Sequence, residues 1–172
     1  MNLEQLIDRL KRTPSFMENV THWETLPAKE ARFAPFPEAL DSRLPPVLAA
    51  RGVHQLYTHQ REAFDRVAEG KDICVVTPTA SGKTMCYNLP VLNAILKNSD
   101  ARALYLFPTK ALSADQVSEL YELIEAMDVD VKTFTYDGDT PAAARRQVRQ
   151  AGHIVVTNPD MLHSGILPHH TK

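Results

Sequence analysis

Residues 77–84 read Thr-Pro-Thr-Ala-Ser-Gly-Lys-Thr and stand between an apolar run and a helix-forming segment. Gly82, Lys83 and Thr84 match the end of the Gly-x-x-x-x-Gly-Lys-Ser/Thr pattern, whereas Thr77 occupies the place of its first glycine. A loop of this kind, opening directly into a helix, aims backbone N–H groups and the positive end of the helix dipole at an anion. Thr77, Pro78, Thr79, Ala80, Ser81 and Gly82 would form the cradle. Lys83 would meet β- and γ-phosphates, and the Thr84 hydroxyl would ligate Mg²⁺. The chemistry implied is the gripping of a nucleoside triphosphate, with Lys83 as the catalytic cation.

Three further loops carry polar residues at the starts of expected helices. Pro108-Thr109-Lys110 opens the segment "ALSADQVSELYELIEAM". Asp139-Thr140-Pro141 and Asn158-Pro159 offer a capping side chain followed by proline, which suits the first position of a helix. Each loop follows a β-rich run. If those runs form one parallel sheet, their C-terminal ends share an edge, the place where open α/β sheets bind ligands. Lys110, Gly138, Thr140 and Asn158 would then meet a second anion beside the nucleotide. Several separated phosphate-type sites suit a polynucleotide backbone.

The elements that must position these loops are legible as alternating strands and helices. The apolar runs are 73–77 (ICVVT), 102–107 (RALYLF), 131–135 (VKTFT) and 153–157 (HIVVT). Strands separated by helices of ten to fifteen residues predict βαβ units and a parallel sheet with helices on both faces. Gly52 and Gly70 suit the ends of the helices before the first run. Pro90, inside the helix after the phosphate loop, predicts a kink. Residues 1–50 read differently: Leu3, Leu6, Ile7 and Leu10 form one helical face, and Pro27, Pro35, Pro37, Pro45 and Pro46 then exclude a continuous helix. Such a leader predicts an extended arm wrapping a folded body and anchored by Trp23, Phe33 and Phe36. Residues 51–172 would be that body.

Composition bounds the rest. Of 172 residues, 44% are hydrophobic and 23% charged, with a formal net charge of −2. Bulk charge therefore gives no support to nucleic-acid binding, which must come from local groups. No stretch is apolar for long enough to cross a bilayer, so no membrane partner is expected and a cytoplasmic location is the default. Cys74 and Cys86, the two cysteines, read as reduced core residues, and no clustered Cys/His spacing suggests zinc. The tail pair His169-His170 reads as a solvated loop.

The motifs together resemble those of superfamily 2 helicases. "TPTASGKT" is similar to motif I, Ala-Pro-Thr-Gly-Ser-Gly-Lys-Thr, from which Thr77 and Ala80 depart. "FPTKALSADQ" looks like motif Ia, "TYDGDT" like the motif linking Ia to Ib, "TNPDML" like motif Ib, and "LYTHQREAF" like the upstream glutamine motif. The whole pattern, including "PAKEARFAPFPEAL" and "HSGILPHHTK", most resembles the bacterial mitomycin repair factor helicases. That resemblance implies a P-loop NTPase fold, specifically a partial first RecA-like domain, and an ATP-dependent 3′-to-5′ DNA helicase of DNA repair. Gln60 would read the adenine edge, with Tyr57 nearby. Pro108, Thr109, Lys110, Gln116, Asp137, Gly138, Thr140, Thr157, Asn158 and Pro159 would contact single-stranded or partly duplex DNA. The cofactors implied are ATP and Mg²⁺.

The family continues into motif II, an Asp-Glu-x-His strand, and this sequence has no Asp-Glu dipeptide. The second RecA-like domain with its arginine finger is also missing. The expectation is therefore the N-terminal part of a helicase whose partner is its own C-terminal remainder. Alone it would be inactive in hydrolysis and marginally stable, because by resemblance the strands of motifs II and III lie between the phosphate-loop strand and those carrying Ia and Ib. A truncated binding remnant without catalysis is the alternative. A different P-loop enzyme, a small kinase or GTPase, lacks support: no Asn-Lys-x-Asp motif or arginine-rich lid is present.

Overall fold

A computed structural model describes residues 2–28 and 30–169; His170, half of the tail pair, lies outside them. The chain divides into two units, Met1–Ala31 and Arg32–Lys172. Residues 32–50 thus belong with the larger unit. In the smaller one, α1 (Leu3–Lys11) starts at Asn2, whose side chain accepts from the Gln5 N–H while the Gln5 side chain accepts from the Asn2 N–H. This reciprocal cap satisfies two otherwise orphaned donors. Beyond α2 (Pro14–Met17), the Lys11 ammonium lies 4.7 Å from the Trp23 ring centroid.

The larger unit begins with a two-residue strand, β1 (Phe33–Ala34), antiparallel to β2 (Leu56–Tyr57). Between them α3 (Leu44–Ala50) ends at Gly52, and α4 (Thr58–Ala68) ends at Gly70. Both glycines are left-handed, with φ of 79° and 74°. Val53 N–H donates to Leu48 O and Gly52 N–H to Ala49 O; Lys71 and Gly70 repeat the pattern onto Arg66 and Val67. These are Schellman ends, and they leave few unsatisfied carbonyls on either helix.

Helix α5 (Lys83–Lys97) runs on through Pro90, which is buried along with Leu89, Leu92 and Ile95. Three strands follow, β3 (Ala103–Leu106), β4 (Thr133–Thr135) and β5 (Ile154–Thr157), alternating with α6 (Lys110–Ala126) and α7 (Ala142–Ala151). Their order is β3-β5-β4, all parallel, with Leu104 opposite Val155 and Phe134 opposite Val155 on the other side. Tyr105, Ile154 and Val156 point into the main core with Leu89 and Leu92 of α5 and Leu120 and Leu123 of α6. The other face is covered in part: Val148 of α7, Leu104, Val155 and Ile166 line a cavity of about 260 Å³ there. Short α8 (Pro159–Met161) passes into a wide turn and then a tight one, ending at His169.

The fold is thus α/β with a parallel sheet, but one expected strand is absent. Residues 73–77 pair with no strand among those described. Ile73 is 38% exposed and Val76 is 88% exposed. Ile73 and Ala103 of β3 line a cavity of about 250 Å³, so a gap separates the run from the sheet edge it would join. Cys74 is exposed as a consequence, against the expectation of a core thiol, while Cys86 is buried. Burial pushes the Cys86 thiol pKa up, consistent with an inert core position.

Candidate nucleotide and strand-facing site

The phosphate loop is shaped by two left-handed residues. Gly82, at the N-cap of α5, has φ 74°, and Ala80 has φ 58°. A Cβ on Gly82 would stand 2.6 Å from Gln60 Nε2, so only glycine fits the cradle without displacing that amide. Lys83 folds back over the loop, donating to Thr77 O at 2.9 Å and Pro78 O at 2.5 Å. Thr77 and Ser81 hydroxyls share a hydrogen bond of 2.6 Å beneath it. The loop therefore surrounds the ammonium with neutral acceptors, which phosphate oxygens can replace with charged ones.

Helix α4 braces the loop from below. Gln60 is buried; its Nε2 donates to Gly82 O at 2.9 Å, and its Oε1 accepts from Tyr57 N at 2.9 Å. His59 Nε2 donates to Ser81 O at 3.0 Å. Gln60 thus ties α4 to the phosphate loop, with one amide proton and one oxygen lone pair left over. Tyr57 stacks between Phe33, 5.1 Å away, and His59, 5.6 Å away. Phe33 is more than half exposed, so the stack offers an aromatic face next to the loop. Sequence reasoning gave Phe33 to the arm and missed His59. The β1–β2 pairing that unites Phe33 with Tyr57 spans more than twenty residues and leaves no local signal.

Thr84, on the first turn of α5, donates to Gln116 Oε1 of α6 at 3.1 Å, and Tyr87 donates to the same oxygen at 2.5 Å. Gln116 therefore faces the nucleotide loop. Its resemblance-based role on the nucleic-acid side is not the contact this conformation makes. The fit of Thr84 to Mg²⁺ follows from the same geometry: with its proton taken by Gln116, the hydroxyl keeps lone pairs for a cation. Among the described residues no group of three or more His, Cys, Asp or Glu side chains could hold a metal. A magnesium ion here would rely on Thr84 and the phosphates themselves.

The remaining loops converge at the C-terminal ends of β3, β5 and β4. Thr109 caps α6, accepting from Leu112 N–H at 3.3 Å, and Pro108 leads into it. Asn158 caps α8, accepting from Met161 N–H at 2.8 Å, with Pro159 next. Thr140 departs from its expected part. Its hydroxyl accepts from Asp137 N–H at 2.9 Å, closing the Asp137–Thr140 turn around Gly138, and Pro141 rather than Thr140 sits at the N-cap of α7. Thr157 is buried and donates to Tyr136 O at 2.5 Å, so its side chain braces the 135–137 loop from inside.

Lys110 is exposed, yet not free. It donates to Asp139 in a short contact and lies 4.0 Å from Asp137. The hydrogen bond to Asp139 raises the lysine's pKa, and Lys110 in turn lowers that of Asp139. Asp139 escaped sequence reasoning as a site residue, although its place in "YDGDT" invited the question. Arg145 adds a second cation nearby, donating to Thr140 O at 3.0 Å.

Comparison with known proteins shows the family to which the chain belongs. The DEAD/DEAH box helicase family matches residues 57–172. The chain is 57% identical, over 99% of its length, to "Uncharacterized ATP-dependent helicase YprA" of Bacillus subtilis, of which it covers 22%. It is 34% identical, again over 99% of its length, to "ATP-dependent helicase HRQ1" of Saccharomyces cerevisiae, covering 16% of that protein. Among solved structures, the DUF1998 helicase MrfA bound to DNA and AMPPNP superposes on 99% of the chain with a TM-score of 0.90 and 56% identity, the chain covering 24% of it. The chain thus spans about a quarter or less of these relatives. It belongs to the DEAD/DEAH box helicase family.

Proposed function

We propose that this DEAD/DEAH box helicase chain is the nucleotide-gripping and strand-facing part of an ATP-driven 3′-to-5′ DNA helicase of repair, working in the cytoplasm. The reading is carried by one observation: Lys83 and Thr84 stand at the N-terminus of α5, behind a loop whose conformation requires glycine at position 82. Loop N–H groups, Lys83 and the helix end would hold the triphosphate of ATP. Thr84 would hold Mg²⁺, which neutralises phosphate charge when bound. The Phe33–Tyr57–His59 stack offers the base an aromatic face, and Gln60's remaining donor and acceptor suit the adenine edge.

The strand-facing part is the row formed by Lys110, the Asp137–Thr140 turn and the capped start at Asn158. Its groups are those that grip phosphates, so binding to single-stranded DNA would be largely sequence-independent and salt-sensitive. Thr157 serves this row from inside, through its hydrogen bond to Tyr136 O. The gap between 73–77 and β3 is the place for strands that the continuation of the chain would supply, including the acidic motif that completes the magnesium site. Without it, hydrolysis lacks a second metal ligand, a positioned water and a transition-state cation.

Calorimetry of ATP with Mg²⁺ tests the reading. Lys83→Ala removes a charge-assisted contact of about 1.5–3 kcal/mol, a loss of roughly 10- to 150-fold in affinity. Unchanged affinity in the variant places the nucleotide elsewhere and overturns the proposal.

A further inference from the structure

Gln116 joins the two halves of the site from the side the motif resemblance did not indicate. Its Oε1 is the common acceptor of two hydroxyls from α5, Thr84 at 3.1 Å and Tyr87 at 2.5 Å. A threonine hydroxyl has one proton and two acceptor lone pairs, and a hydroxyl that faces a cation must turn its proton away from it. Left alone, the Thr84 proton has many rotational positions, some of them aimed at the metal. An acceptor fixed behind the hydroxyl removes those positions. Tyr87 fixes the acceptor in turn, its hydroxyl donating to the same oxygen from one helical turn further along α5.

We propose that Gln116 is a positioning residue for magnesium, acting through Thr84, with Tyr87 as its support. The proposal rests on the reading of residues 77–84 as an ATP–Mg²⁺ site. Gln116 does not touch the ion. It sets which way the Thr84 hydroxyl points, the part that hydrogen-bonded partners behind metal ligands commonly play, where their loss costs about 10- to 100-fold in metal affinity. It also assigns Gln116 to the nucleotide side of α6, six residues, or about 9 Å of helix rise, from Lys110 at that helix's start.

The test is ATP affinity measured by calorimetry, with Mg²⁺ and with EDTA, on the chain and on three variants. In Gln116→Leu the tightening that Mg²⁺ confers falls about tenfold, while affinity in EDTA stays at the parent value. Gln116→Glu, which can only accept hydrogen bonds, restores the tightening. Tyr87→Phe retains most of it, because the Thr84 contact survives. A merely structural role for Gln116 would lower the melting temperature without changing the ratio between the two conditions. A Leu variant with the parent ratio, or a Glu variant as poor as the Leu one, overturns the proposal. Should the Leu variant not fold, the Glu variant decides: parent-like tightening supports the assignment, and its loss overturns it. If the parent chain binds ATP no better with Mg²⁺ than with EDTA, both the proposal and the reading beneath it fall. Normal tightening in the parent with an unaffected Leu variant removes the proposal alone.

Discussion

Val75-Val76-Thr77 and Val155-Val156-Thr157 are the same tripeptide in two regions with opposite fates. The second lies in β5, the central strand, where Val156 is 1% exposed and Thr157 is 3% exposed. The first pairs with no strand among the described residues, and its Val76 is 88% exposed. Local preference is identical, so it cannot decide the outcome. What decides is whether a neighbouring strand is available on either side, which is why strand propensity reads as fit to a pleated, half-buried surface. Strand β5 has β3 and β4; residues 73–77 have no paired strand among the described residues.

The two loops that leave these runs differ accordingly. Thr157 is pinned to Tyr136 O, and the loops beside it trade contacts from strand to strand. The phosphate loop is held by its own atoms, Lys83 on Thr77 and Pro78, and by α4 through Gln60 and His59. Aspartate placed in each tripeptide gives the widest separation. Val156→Asp buries an unpaired charge in the core and should cost more than about 3 kcal/mol, enough to unfold a marginal domain. Val76→Asp should stay within about 0.5 kcal/mol, as an exposed substitution. Urea denaturation of the two variants measures both. A Val76→Asp cost matching that of Val156→Asp would mean that residues 73–77 are packed in solution, and the contrast would be gone.

This contrast also sets how far the sequence could be read. Much of what is decided within a few residues was legible: the glycine-ended helices at Gly52 and Gly70, the helix start at Pro108–Lys110 and the Asn158 cap. The three paired strands were legible too, because their partners lie within the chain. Residues 73–77 carry the same signal as β5 and lack only the partner, which no local pattern reports. The site shows the same division. Lys83 and Thr84 follow from spacing alone. The inward turn of Thr157, the Gln116 contact with Thr84, the Phe33–Tyr57 stack and the Lys110–Asp139 pair are all long-range, and side-chain direction across elements is not written in a motif. Thr140 failed for a subtler reason: its hydroxyl had a nearer donor in Asp137 N–H, so the turn took the cap that the helix was expected to use.

The strand-facing loops, anchored on the paired sheet, hold their cation against a carboxylate. On the proposed reading, Lys110 would have to exchange Asp139 for a phosphate in order to grip DNA. Asp139→Asn removes the competing charge and should tighten single-stranded oligonucleotide binding about fivefold at low salt, with the gain shrinking as salt screens both partners. Fluorescence titration at two salt concentrations reads it. No gain at low salt would mean that Lys110 does not meet the strand, and the loops on the paired side would then be structural only.

The smallest effect concerns Ala80, the one non-glycine residue of the phosphate loop with positive φ, at 58°. Left-handed backbone costs an L-residue about 1–2 kcal/mol, because its Cβ crowds the following carbonyl. Ala80→Gly removes that strain but also widens the unfolded ensemble, which takes back part of the gain. The balance should be a stabilisation of about 0.5 kcal/mol, seen as a small rise in the urea midpoint without a change in slope. The sign of the result bears on the two tripeptides. A gain means that the loop is held in its shape by α4 and α5 although the run leading into it is unpaired, so that Ala80 cannot escape the strain. A loss or no change means that the loop relaxes along with residues 73–77, and that Ala80 leaves the left-handed region when its strand has no neighbour. The phosphate grip would then be shaped only when a neighbouring strand is present, and ATP affinity of Ala80→Gly measured alongside would stay at the parent value.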